Sequence, residues 1–394
     1  MNVLVSDDHD ALADALIAEA DAADGLAPVD TEAFWAQWQQ DREDPFQAAC
    51  VPIGNLWSPE CVFDELGLPE DWYRYHHDQA WLRQLKLRYN DLAERIVGRR
   101  LLCEGAPDPT PRFPAVASIA DVFEARNVFY HDSFWLQQSA HDEDELAALL
   151  DRVEQRLQDP RAAFLPAEWD EATAGLLAQG VGVPQYCCQR GPVTFATSVF
   201  GTEELVYLMY DEPELAARFR DLILRTMLAR RQVLEDEVRA AGQTVQRSFS
   251  FYDDNCYLLT PELYEFFGAP ILQAMFAHCA PEPDDWRFQH SDSAMEHLLP
   301  ILARFDLREV NFGPTVPTAL IREHMPRTII QGQLAPFTYS RHDRRGMVAE
   351  FLRDKQAVGA TRGLRYATAG SVNNGSRLHD LRLIMAAVQR WGWY

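Results

Sequence analysis

The chain has 394 residues, 47% of them hydrophobic, and a formal net charge of −24 at pH 7. That is enough apolar material for a large core, and the acidic field excludes nucleic acid and anionic membranes as natural partners. The first ten residues lack a basic n-region and an apolar h-region, so no signal peptide is expected, and no apolar run reaches the length of a membrane span. Residues 1–30, rich in Ala and Asp, predict an N-terminal helical arm, and residues 31–105 read as helical and aromatic-rich through Phe34, Trp35, Trp38, Trp57, Trp72 and Trp81. Ser58-Pro59-Glu60 is a helix start: the serine caps, the proline fits the first turn and the glutamate favours the positive end. Pro107, Pro109, Pro111 and Pro114 mark a linker within the fold. Beyond it, β-prone segments alternate with longer helical ones, the pattern of a parallel sheet. Val181–Gln185 reads as strand or turn, followed by a helical stretch from about Glu203 to Ala241. Strands are predicted at Arg247–Tyr252, Trp286–Gln289, Glu309–Phe312, Arg327–Gln331 and Leu364–Thr368, and helices from Thr260-Pro261-Glu262, over Ala294–Arg304, about Arg344–Gln356 and about Arg377–Arg390.

In a parallel α/β barrel the residues just past each strand face the active site. Here those positions hold Asp253-Asp254-Asn255, His290-Ser291-Asp292, Asn311 with Gly313-Pro314, Gly332-Gln333, and the run Ala369–Gly375 with Asn373 and Asn374. Loop residues are commonly polar, but five in register with the alternation point to one mouth. A paired Asp253-Asp254 stabilises developing positive charge or acts as general acid or base. Alternatively, Asp253 faces a helix N-terminus and Asp254 alone faces the pocket. His290 exchanges protons near pH 7. Asn311, Gln333, Asn373 and Asn374 are orienting hydrogen-bond groups, and Tyr252 and Phe312 either stack on a planar substrate or pack in the core. Asn55 and Trp57 in VPIGNLW, like His131-Asp132, either line the pocket or pack an N-terminal layer, with packing favoured. The seven cysteines, odd in number and without a C-x-x-C pair, fit a reducing, cytoplasmic compartment. Cys187-Cys188 is expected to be buried, and His76-His77 to lie on a helix surface. No P-loop, dinucleotide fingerprint, G-x-S-x-G elbow or H-E-x-x-H motif occurs, so no nucleotide cofactor is expected.

Five segments carry a family resemblance. Gly191 to Phe219 (GPVTFATSVFGTEELVYLMYDEPELAARF) resembles the Gly-Pro segment of the uroporphyrinogen decarboxylase superfamily. FSFYDDNCYLLTPELYEFF resembles its Asp-containing strand and following helix, and HSDSAMEHLLPILARFDLREVNFGP its strand–helix–strand unit. IIQGQLAP resembles its "i-x-G-N-l-d-P" turn, and YATAGSVNNGSRLHDLRLIMAAVQRWGWY its ending. The resemblance implies a (β/α)8 TIM barrel over residues 111–394, with residues 1–110 as a helical arm and extension packed on it, one structural domain overall.

For function the resemblance implies two branches. The decarboxylases carry an early arginine-rich segment for substrate carboxylates; here that segment is VPIGNLWSPE. Their Tyr and C-terminal His align with Ser198 and near Ser371. Arg190, Arg247, Arg287, Arg322 and Arg341 remain as carboxylate partners, none within a recognisable motif. The zinc methyltransferases use a H-x-C pair and a late Cys; here the pair reads His290-Ser291-Asp292 and the late turn has no Cys. Replacing thiolate by Asp gives a harder site, with His290 and Asp292 as metal ligands, or no metal and an Asp254–His290 acid–base pair. The corrinoid signature D-x-H-x-x-G is absent, since the nearest run, starting at Asp7, ends in Leu12. Any cobalamin therefore arrives on a separate corrinoid protein. The expectation is a methyltransferase-like enzyme moving or removing a one-carbon group on a small molecule, with a homodimer as the candidate assembly. Its rivals are a cofactor-free decarboxylase of a tetrapyrrole or other carboxylated substrate, and an inactive barrel used as a binding module.

Overall fold

A computed structural model describes residues 9–105 and 111–394. Pro107 and Pro109 of the proline-rich linker, and the run at Asp7-Asp8, lie outside the described residues. The protein is α/β, with a parallel six-stranded sheet in the order β3-β4-β5-β6-β7-β8 and a separate two-stranded hairpin, β1-β2. The strands are β1 (Asn127–Tyr130), β2 (Ser133–Leu136), β3 (Cys188–Arg190), β4 (Ser248–Tyr252), β5 (Trp286–Ser291), β6 (Glu309–Phe312), β7 (Ile329–Leu334) and β8 (Leu364–Thr368). Among the described residues no helix is long and apolar enough to cross a membrane. The chain divides into two compact units, one of residues 108–290 and 297–308, the other of residues 1–107, 291–296 and 309–394.

In the first unit β3, β4 and β5 run parallel. Alternation sets their two faces. Phe249 and Phe251 of β4 are buried, Phe249 in edge contact with Tyr186 and Phe251 with Phe276 of the helix Pro261–Cys279. Each such phenylalanine contributes roughly 1.5–3 kcal/mol of burial free energy. Ser250 and Tyr252 take the opposite face. The helix Pro261–Cys279 begins as its sequence predicts: Thr260 caps it, its hydroxyl accepting from the Leu263 amide at 3.3 Å.

The loops before β3 and β4 are tied by a buried arginine. Arg231, in the helix Pro213–Ala240, donates to Glu235 at 2.5 Å, to the Tyr186 carbonyl at 2.6 Å and to the Gln246 carbonyl at 2.6 Å. Val181–Gln185 forms no strand. The Val183 amide donates instead to the Gln243 side chain, and Gln185 bonds Thr244 and Gln246, so side chains replace a ladder. The helical stretch 203–241 breaks at Glu212, where Pro213 opens a new helix. His131 turns the β1–β2 hairpin with φ +56°, and the hairpin exposes Tyr130, Phe134 and Trp135.

In the second unit β7 pairs with β6 and β8, all parallel. Pro52–Asn55 runs beside β8 as well: Gly54 donates to the Tyr366 carbonyl, Tyr366 to Pro52 and Thr368 to Asn55, with an Ile53–Tyr366 bridge. The helix His9–Asp21 lies in this unit, its Asp14, Glu19 and Asp21 paired with Arg345, Arg390 and Arg344. Ser58 accepts from the Glu60 amide at 3.1 Å, capping a 3-10 turn, Pro59–Cys61, that runs on into the short helix Val62–Glu65, the helix start its sequence predicts. In the first unit, residues 297–304 of the predicted helix Ala294–Arg304 are broken into short turns around Leu299–Leu302.

Candidate active site

The site builds from the ends of β3, β4 and β5. Arg190 stands in register with Tyr252, and Tyr252 with His290. Register partners in a parallel sheet project from one face. Arg190, Tyr252 and His290 therefore form a row at the C-terminal ends of three adjacent strands, the end where α/β sheets bind ligands. The Tyr252 ring lies 5.5 Å from the His290 imidazole, tilted by 53°, and is 43% exposed.

After Tyr252 the chain enters a 3-10 turn, Asp254–Leu258, and its first residues separate in role. Asp253 is fully buried. Its Oδ1 accepts from the Thr194 amide at 2.8 Å, in the first turn of the helix Pro192–Phe200, and its own amide donates to the His290 carbonyl at 2.9 Å. Gly191 makes this approach possible, because a Cβ there would stand 2.1 Å from the Asp253 Cβ. Burial pushes the Asp253 carboxyl up to about 6, opposed by the hydrogen bonds from Thr194 and Val193. Of the alternatives open in the sequence, Asp253 thus takes the helix N-terminus. Asn255 is tied to the hydroxyls of Thr194 and Thr197 at 2.9 and 2.7 Å.

Asp254 alone of the three faces the row. Its Oδ1 is 3.7 Å from His290 Nε2, with side chains 46% and 15% exposed. At that separation the contact is a charge pairing rather than a hydrogen bond. One carboxylate and one imidazole facing each other make a proton donor–acceptor pair suited to neutral pH.

Arg190 completes the row. Its Nη1 donates to Ser198 Oγ at 3.0 Å, and Ser198 donates to the Thr194 carbonyl at 2.6 Å. Burial pulls its pKa below the usual arginine value, partly offset by the charge of Asp254. The signal that finds this residue in sequence is local: an arginine ends a short β-prone run directly before the Gly-Pro that opens a helix.

The remaining candidates are engaged otherwise. Asn311 on β6 donates to the Gln331 and Thr368 carbonyls at 2.6 and 2.9 Å and accepts from the Gly370 amide at 3.1 Å, bracing the strand ends of its own unit. Gln333 on β7 is buried, donating to the Gly313 and Val316 carbonyls at 3.2 and 2.8 Å. Asp292 is exposed, and the loops of its own unit close tightly on it: a Cβ on Gly370 would stand 2.2 Å from its Oδ1. The Asn373 carbonyl accepts from Ser376 and Cys61, and Asn374 bonds the Asp64 amide and Glu70. Asn55 is exposed and pairs with Thr368 through its carbonyl, while Trp57 packs edge-on against Trp35 at 6.3 Å. Phe312 is fully buried. Cys188 is exposed and Cys187 intermediate, against the expectation of burial. His77 stacks on Tyr73 at the surface of the helix Trp72–His77.

The model of the family described as "Uroporphyrinogen decarboxylase (URO-D)" matches residues 169–389, more than half of the chain. The chain belongs to the uroporphyrinogen decarboxylase family. The matched span holds β3 to β8 and every member of the Arg190–Tyr252–His290 row. A solved methyltransferase from Methanosarcina mazei is similar in fold, with a TM-score of 0.52 and 16% identity over 87% of this chain and 94% of that one. No curated protein matches the chain. Membership in the uroporphyrinogen decarboxylase family makes an enzyme of that superfamily the coarse functional assignment; the reaction is a separate matter.

Proposed function

We propose that the chain is a methyltransferase-like group-transfer enzyme, moving or removing a one-carbon unit on a small organic molecule, with Asp254 and His290 as its acid–base pair. The observation that carries this reading is the 3.7 Å approach of Asp254 to His290 at the ends of β4 and β5. The likeness in fold to a methyltransferase supports it. The framework we propose is a (β/α)8 barrel over residues 111–394, with Pro52–Asn55 running beside β8 and the rest of residues 1–110 as a helical extension. In this reading His290 takes or returns the proton of the acceptor or leaving group. Asp254 orients the imidazole and balances its positive charge. Tyr252 supplies a flat wall. A corrinoid, where one is used, arrives on a separate protein.

A second reading is favoured by the donor set. Asp254 and His290, in one unit, each offer one ligand atom to a cation. The pair is one imidazole and one carboxylate with no thiolate, which fits a harder divalent cation better than the sulfur-rich zinc centres of the superfamily. Such an ion, when bound, polarises the acceptor atom as a Lewis acid.

The experiment is a thermal-shift screen of the full chain against methylated amines, corrinoids and porphyrinogens, then turnover on whatever stabilises it. Asp254→Asn and His290→Ala are each expected to lower kcat about 10²–10⁴-fold. Unchanged turnover in both removes the proposed pair. One equivalent of metal by elemental analysis, with turnover lost in chelator, selects the second reading; full turnover in chelator selects the first. A porphyrinogen that alone stabilises the chain and loses CO2 selects the decarboxylase instead.

A further inference from the structure

Arg190 has a chemistry that the acid–base pair does not use. It occupies the first place in a row whose other members are Tyr252 and His290. Its guanidinium carries five N–H donors, and one hydroxyl, that of Ser198, accepts from it at 3.0 Å. Among the described residues no carboxylate lies within ion-pair distance of it. Asp254 acts on it only through its field, and burial works against its charge. A half-buried cation held by a neutral hydroxyl is costly unless an anion completes it. By contrast Arg365 on β8, also largely buried, meets both oxygens of Glu309 at 2.7 and 2.6 Å. Arg190 has no such protein counterpart.

We infer that Arg190 is the specificity-determining residue of this site and that it receives the carboxylate of a small, planar, monoanionic substrate. This deepens the function proposed above and rests on that reading for the identity of the reacting end. The charges decide the class. Arg190 contributes +1 and, among the described residues, its one side-chain partner is the neutral Ser198 hydroxyl, so a single negative charge completes it. A phosphate dianion leaves an excess negative charge beside Asp254 in a protein already at −24. The planar fork of arginine matches a carboxylate with two parallel hydrogen bonds. Spacing sets the size: Arg190 and His290 are two strands apart, roughly 10 Å between backbones. A molecule on the scale of a substituted benzoate spans from one side chain to the other, across the exposed ring of Tyr252.

Isothermal titration of the full chain with benzoate and with its neutral counterpart benzamide tests this. The wild type is expected to bind benzoate at least about tenfold tighter than benzamide, the factor a charged hydrogen-bonded pair supplies. Arg190→Met erases that preference and leaves benzamide binding unchanged. Arg190→Lys keeps the charge and loses the fork, and is expected to lose about threefold for benzoate; it serves as the decisive variant where the Met variant fails to fold by circular dichroism. His290→Ala keeps the preference, so the carboxylate site stands or falls apart from the acid–base pair. Equal affinities in the wild type, absence of benzoate binding at millimolar concentration, or unchanged affinity in both Arg190 variants overturns the inference.

Discussion

The two ends of the same strands, β3 and β4, hold an arginine each, and the two arginines are treated in opposite ways. Before the strands, Arg231 is buried against Glu235 and two loop carbonyls, and hydrogen bonds surround it. At the end of β3, Arg190 has one hydroxyl partner and a charge that Asp254 offsets only through its field. The first arrangement fixes the fold, because a buried cation bonded through all three of its nitrogens has one geometry. The second leaves bonding capacity for something that arrives from solution. An α/β protein separates stability from chemistry along its strands, and here the separation can be read from how completely each polar group is satisfied.

The contrast can be broken by mutation, beginning at the stabilising end. Arg231→Met leaves Glu235 buried with Arg239 at 2.6 Å and His278 at 3.5 Å as its remaining partners among the described residues. It is expected to lower stability by about 3–5 kcal/mol, read as a fall in the denaturant midpoint at constant m-value. Asn311→Ala unbinds the Gln331 and Thr368 carbonyls and the Gly370 amide, with an expected loss of about 2 kcal/mol in the same measurement. If it instead lowers turnover without touching stability, Asn311 belongs to the substrate and not to the frame. Ser198→Ala, at the open end, removes one neutral bond from Arg190 and is expected to shift stability by less than about 1 kcal/mol. A loss as large as that of Arg231→Met would show that the two ends are not distinct.

Much of the frame was legible because its signals are local. Glu309–Phe312 and Leu364–Thr368 appear at the predicted bounds, and Thr260-Pro261-Glu262 opens its helix as capping chemistry requires. Pro52–Asn55 escaped notice because a proline and a glycine interrupt it and its partner, β8, lies more than three hundred residues away in sequence. Val181–Gln185 misled because its β-prone composition is held by glutamine side chains and not by a neighbouring strand. At the site, the pairing of Asp254 with His290 followed from counting residues past strand ends. The choice between the two readings of Asp253 and Asp254 did not, since only the close pass of Gly191 shows that Asp253 is the carboxylate drawn beneath the helix. Arg190 was visible as a residue but not as a position, because β3 is only three residues long. Asn311 and Gln333 carry the polar character expected of the mouth, yet their amides answer backbone groups that no linear pattern reveals.

The contact between Gly191 and Asp253 has a further consequence for how this scaffold can diverge. Asp253 is anchored from two sides, so the direction in which Asp254 points is inherited from its neighbour and cannot drift alone. Among the described residues, the Arg190 side chain is moored through Ser198. A lineage, or an engineer, retargeting the pocket can exchange the residue at 190 for another head group while the pivot beneath it keeps the proton-handling pair aimed at the same spot.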